Sequence, residues 1–139
     1  DDLAPWRQGR GLLKARLGGW APRDRDLRGL QLKYCSLRQA QLHGADLRGA
    51  NLSLSNLSGA DLRDVRFDDA DLEGANLSGA DLRGAVFTRA ALSATRFFRP
   101  RNGEPARVAQ VQGADFRACR GLMDEQRQVL IAAGAMLDE

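Results

Sequence analysis

The sequence predicts an all-β solenoid, on three observations. A five-residue period runs from Arg25 to Arg99 through fifteen units without a slip. The centre of every unit is Leu or Phe, from Leu27, Leu32 and Leu37 through Phe67 and Phe87 to Phe97. Small residues stand two places before the centre, and Gly recurs at the last place, as at Gly29, Gly44, Gly49, Gly59, Gly74, Gly79 and Gly84.

Each observation has a physical reading. Ala fills nine of the fifteen places before the centre. The residue between Ala and the centre is nearly always polar, so Ala45-Asp46-Leu47 and Ala80-Asp81-Leu82 read in, out, in, the alternation of a short extended strand. Gly at the last place suits a sharp turn. Every unit is therefore expected to be a three-residue side followed by a two-residue corner. A helix does not fit, because a period of five on a 3.6-residue turn would spread Leu and Phe around the whole circumference.

Units such as Ala45-Asp46-Leu47-Arg48-Gly49 and Ala75-Asn76-Leu77-Ser78-Gly79 resemble the pentapeptide-repeat proteins. The resemblance covers Arg25 to Arg99. It implies a right-handed quadrilateral β-helix with four units per coil, so that positions twenty apart stack. On that expectation Leu47, Leu62, Phe67, Leu77, Leu82, Phe87 and Phe97 line the axis, with Phe67 and Phe87 in one column.

The ends follow in order. Residues 1–24 are expected to form a capping segment, with a short helix suggested by Trp6, Leu13, Leu17 and Trp20 and weakened by Gly9, Gly11, Gly18 and Gly19. The coil is expected over 25–121, interrupted by a loop of roughly Pro100 to Val108, where prolines and a glycine break the register. If Val111 continues from Phe97, Phe116 joins the Phe67 and Phe87 column. A capping helix is expected over 122–139, with Asp124 at its N-cap and Gly134 at its end, and with Leu122, Val129, Leu130, Ala133 and Leu137 closing the stack.

Composition narrows the function. Apolar residues make up 43% and charged residues 28%, a globular balance, and the apolar stretch Val129 to Leu137 falls far short of the ~18 residues of a membrane span. The sequence opens on Asp1 rather than Met, so residues upstream are expected to be missing; what remains has no signal-peptide pattern, and a cytoplasmic location is the expectation.

No catalytic constellation emerges, and no cofactor, metal or small-molecule substrate is expected. His43, the single histidine, follows a core Leu and should face solvent. Cys35 and Cys119 take the small inward place and read as structural thiols, since a reactive thiol needs exposure and a cationic neighbour. Asp46, Asp61, Asp71 and Asp81 recur with the repeat, which explains them better than catalysis does.

The resemblance also implies one specific activity, mimicry of duplex DNA toward a type II topoisomerase, which needs a strongly negative surface. Residues 25–99 carry nine acids against eleven Lys or Arg, and the whole chain is +3. The sign is wrong for a mimic and too weak for a dedicated nucleic-acid binder.

Charge is nevertheless banded: residues 25–48 are net positive, through Arg28, Lys33, Arg38 and Arg48, while residues 60–74 are net negative. Apolar residues at outward places point to contact. Tyr34 and Leu54 occupy the same corner twenty residues apart, with Gly74 and Ala94 above them, and Phe98 and Val86 should also face out. The expectation is a non-catalytic scaffold or accessory subunit that displays this surface to an unidentified protein partner, within a larger complex or by self-association. The N-terminal segment, through Trp6 or Trp20, is the alternative cover for Tyr34 and Leu54.

Overall fold

The second residue of each unit pairs in parallel with the residue twenty places later: Asp26 with Asp46, Gln31 with Asn51, Ser36 with Asn56 and Gln41 with Asp61. Four such pairings per coil make four sides. The structure is a computed structural model and describes residues 3–8, 14–101 and 104–139. Every rung is hydrogen-bonded in both directions. Asp46 donates its N–H to Arg25 O at 2.8 Å, and Leu27 donates to Asp46 O at 2.9 Å.

Each side carries a single bridged residue rather than the expected three-residue strand. The corner begins at the unit's centre, whose carbonyl accepts from the N–H three residues on, as Leu47 O does from Ala50 N at 3.0 Å. The fifth residue then takes a positive φ, 68° at Gly49, as the third residue of a type II turn requires.

The second residue also shapes the corner. The side-chain oxygens of Asp46, Asn51, Asn56 and Asn76 accept from the N–H two residues later at 3.0–3.1 Å. This side-chain turn is why Asp and Asn recur there.

Leu27, Leu47, Leu62, Leu77, Leu82, Phe67 and Phe87 are completely shielded, Phe97 is 2% exposed and Phe116 1%. Each such Leu contributes about 1.5–3 kcal/mol of burial, but only because a coil lies above or below it. Phe67 stacks on Phe87 with centroids 4.9 Å apart, Phe87 on Phe116 at 4.4 Å, and Phe97 meets Phe116 edge-on.

The N-terminal segment differs from expectation. Helix α1 spans only Ala4–Arg7, and Leu13, Gly9 and Gly11 lie outside the described residues. Leu17 belongs to no helix: Arg16 bridges Ser36, Leu17 donates to Ser36 O at 2.7 Å, and Gly19 has φ 70°. Coil geometry thus starts at Ala15, ten residues before the expected boundary. Pro22, standing where the unit requires Leu, interrupts the pattern and hides this earlier unit in the sequence. Trp6 packs on Trp20 with centroids 5.7 Å apart, and Trp6 O accepts from Gln31 N, so the pair lies against the first coil.

The expected loop is a hairpin. Strands β1, Phe98–Arg101, and β2, Glu104–Val108, pair antiparallel with Phe98 opposite Val108 and a register irregularity between Arg99 and Arg101. Pro100 falls in that irregularity, where its missing N–H removes no regular ladder bond. Ala109 N then bonds Phe97 O at 2.7 Å, and the coil resumes with Asp81 paired to Gln110, Val86 to Asp115 and Ala91 to Arg120.

Helix α2 covers Asp124–Ala132, not 122–139. Asp124 is its first residue rather than its cap. Gln126 Oε1 accepts the Met123 N–H at 2.9 Å, while Gln126 Nε2 donates to Thr95 O at 2.6 Å and ties the helix to the last coil. Leu130 is buried and Leu122, Ala133 and Leu137 pack partly on the core, but Val129 faces outward. Gly134, at φ 93°, turns the chain so that Met136 forms one more rung against Asp115. Ala135-Met136-Leu137-Asp138-Glu139 is a repeat unit that the helical reading masked.

Candidate functional site

Exposed residues of the coil fall on four corners, set by the twenty-residue stacking. The candidate contact residues divide among three of them. Arg28 and Arg48 share the first corner, Lys33, Tyr34 and Leu54 the second, and Arg38 and Phe98 the third, so the basic residues do not form one patch.

Most of the charge is used within the repeat. Arg28 forks onto Asp26 at 2.8 and 2.9 Å, and Arg48 onto Asp46 at 2.6–3.0 Å. Arg63 on Asp61, Arg83 on Asp81 and Arg117 on Asp115 repeat the same two-residue fork. The hydrogen bond from Arg48 holds the Asp46 carboxyl below the usual carboxylate range, and Arg63, Arg83 and Arg117 do the same for Asp61, Asp81 and Asp115. Phosphate or carboxylate partners outside the chain would have to compete with these forks.

Asp71 breaks the rule. Of the six units that place Asp before a core Leu or Phe and include a charged residue after it, five read Asp-x-Arg, whereas Asp71-Leu72-Glu73 puts a second carboxylate where the arginine stands. Asp71 Oδ1 accepts the Glu73 N–H at 3.0 Å, and neither side chain meets a basic group within 4 Å in the described residues.

These acids line a groove of about 360 Å³ on the second corner, together with Lys33, Ser53, Leu54, Gly74 and Ala94. Tyr34 is 45% and Leu54 50% exposed, and the Lys33 ammonium lies 5.2 Å from the Tyr34 ring centroid. Trp6 and Trp20 pack on one another and leave both residues open.

Backbone geometry adds a second feature. Tyr34 and Leu54 have φ of 62° and 56°, a region in which a bulky side chain costs about 1–2 kcal/mol and Gly almost nothing. Above them, the Leu54 side chain leans over Gly74, where a Cβ would sit 2.6 Å from Leu54 Cδ2. The second corner therefore carries strained, exposed apolar side chains where the other corners mostly carry Gly or polar residues.

The remaining candidates stand apart. Phe98 is 37% exposed in the hairpin beside Val108, and Val86 is half-buried on the first side. His43 is exposed and meets Asp64 at 3.2 Å. Cys35 is buried and Cys119 half-buried, and burial pushes both thiols up. Among the described residues, no three of His, Cys, Asp and Glu come together in a way that would hold a metal ion, and no helix is long and apolar enough to cross a membrane.

Sequence reasoning placed Tyr34 and Leu54 outward on one corner, as the structure does, but did not join Asp71 and Glu73 to them. The signal was present, in a single departure from the Asp-Leu-Arg pattern, but it was absorbed into a regional count of acids.

Comparison with known proteins agrees with this architecture. The family profile described as pentapeptide repeats matches residues 26–64 and 66–99 in eight copies. The crystal structure of alr5209, a pentapeptide repeat protein from Nostoc Pcc 7120, is 27% identical, covers 87% of this chain and 99% of its own, and superposes with a TM-score of 0.66. AT2G44920, a pentapeptide repeat protein from the Arabidopsis thaliana thylakoid lumen, is 30% identical over 89% of this chain and 77% of its own, with a TM-score of 0.46. HetL, a pentapeptide repeat protein involved in heterocyst differentiation regulation in Nostoc sp. strain PCC 7120, is 28% identical over 78% and 54%, with a TM-score of 0.35. No curated protein sequence matches. With its repeat units matched over more than half of its length, this chain belongs to the pentapeptide-repeat family.

Proposed function

We propose that this chain is a non-catalytic binding module: a right-handed quadrilateral β-helix that holds its second corner rigid for a protein partner. One observation carries the reading. Tyr34 and Leu54 stand one above the other, exposed and in a backbone region where Gly is the low-energy choice. Two costs, strain and solvated apolar surface, coincide on one edge, which is the pattern of a surface kept for contact rather than for stability.

DNA mimicry is disfavoured on electrostatic grounds. A coil stack standing in for duplex DNA needs about one negative charge per ~1.7 Å, whereas this chain is +3 and the carboxylates of its Asp-x-Arg units are forked to its own arginines. The same forks weaken a nucleic-acid reading, because the arginines in them are already bonded to carboxylates.

The test is a capture experiment from the native source with the wild-type chain and the Tyr34→Gly/Leu54→Gly variant. Gly relieves the backbone, so the variant should melt no lower than wild type yet lose the captured partner. A variant that keeps the partner at full yield ends the assignment to this corner.

A further inference from the structure

We infer that the occupant of the second corner is a second copy of this chain, docked antiparallel about a twofold axis that passes beside Leu54 and lies perpendicular to the coil axis. The inference rests on the reading that this corner is a protein contact surface, and it names the partner.

The order of residues along the edge carries it. From the first coil upward the fourth and fifth places read Lys33-Tyr34, Ser53-Leu54, Glu73-Gly74 and Ser93-Ala94. Coils are about 4.8 Å apart, so Lys33 and Glu73 of one chain stand about 10 Å apart along the edge, and no ion pair joins them among the described residues, where the Lys33 ammonium lies over the Tyr34 ring instead. Each therefore presents an unmatched charge on the same edge, one coil below and one coil above Leu54.

A twofold axis at the level of Leu54 exchanges the first and third coils. Lys33 of one copy then faces Glu73 of the other, twice over by symmetry, with Asp71 beside each pair. Shape follows the same rule. The large Tyr34 ring meets the groove that Leu54, Gly74 and Ala94 line, and the two Leu54 side chains meet near the axis. The stacked Lys33 ammonium and Tyr34 ring enter as one unit.

A parallel arrangement would instead set Lys33 against Lys33 and Glu73 against Glu73. Like charges at two levels disfavour it, so the same residues select the antiparallel hand. Because one corner of a narrow coil offers little area, the dimer is a weak one, forming in the micromolar range or above.

Sedimentation velocity on the full chain, from micromolar to millimolar concentration and at low and moderate salt, reads this directly. The expected result is a concentration-dependent dimer that weakens with salt. Lys33→Glu and Glu73→Lys should each weaken it by about tenfold, and the double exchange should restore it to within roughly threefold of wild type. Both residues are exposed corner residues, so unchanged thermal melting serves as the folding control. A chain that stays monomeric throughout, or a dimer indifferent to both reversals, overturns the inference. If the chain is monomeric but Tyr34→Gly/Leu54→Gly still abolishes capture of another protein, the contact surface stands and its occupant is a different chain.

Discussion

Phe87 and Phe116 stack face to face, 4.4 Å between centroids and 7° between planes, although they are twenty-nine positions apart rather than the twenty that one coil supplies. The excess leaves and re-enters the coil at one corner. Phe98 and Val108 are Cα partners at the base of the β1–β2 hairpin, so the chain returns to the point it left.

Deleting residues 99–107 should therefore leave a folded protein. Joining Phe98 to Val108 turns Thr95-Arg96-Phe97-Phe98-Val108 into an ordinary five-residue unit leading into Ala109. The melting midpoint is expected to fall by the equivalent of about 1–2 kcal/mol, because Val108 then takes the positive-φ fifth place. Phe87→Ala, which opens a cavity in the middle of the ring column, should cost about 3–5 kcal/mol in the same denaturation assay.

Leu54 makes a test of strain. Leu54→Gly is expected to raise stability by roughly 1 kcal/mol through relief of the positive φ, while Leu54→Ala, which keeps a Cβ in that region, should gain much less. Urea unfolding of the two variants distinguishes them. Equal midpoints would show that exposure alone, not backbone conformation, sets the cost at this corner.

Two glycines separate strain from collision. Gly49 and Gly121 both have positive φ, 68° and 88°, but a Cβ on Gly49 meets nothing within 4 Å, whereas one on Gly121 would lie 2.7 Å from the Ser93 amide nitrogen. Gly49→Ala should cost about 1 kcal/mol and Gly121→Ala clearly more, about 2–3 kcal/mol, because backbone must move. Calorimetric melting of the pair checks the order.

Acid sensitivity follows from the Asp-x-Arg forks. Native Asp46, Asp61, Asp81 and Asp115 hold their protons less tightly than in the unfolded chain, where a carboxyl titrates near pH ~3.9. Their contribution is complete above that value. As pH falls toward the lower native values, the unfolded chain takes up protons that the native chain refuses, and stability is lost. The melting temperature should be flat from neutrality to about pH 5 and fall below about pH 4. Arg63→Gln, by removing the donor that holds Asp61, should flatten the fall; an unchanged acid slope would remove the forks from the account.

The sequence by itself determined the repeat. A Leu or Phe every fifth residue with Ala before it and Gly after it has one way to bury its apolar side, and burial and turn chemistry are local enough to read from single units such as Ala45 to Gly49. Only the tertiary structure decided where the pattern starts and stops. Ala15 to Gly19 and Ala135 to Glu139 are units by geometry although Pro22 and α2 separate them from the run, because a rung is defined by the neighbour it bonds, Ser36 for one and Asp115 for the other. The same is true of the surface. That Arg28 and Arg48 are spent on Asp26 and Asp46 while Asp71 and Glu73 remain open depends on stacking and on distances between side chains, which no linear count of charge contains.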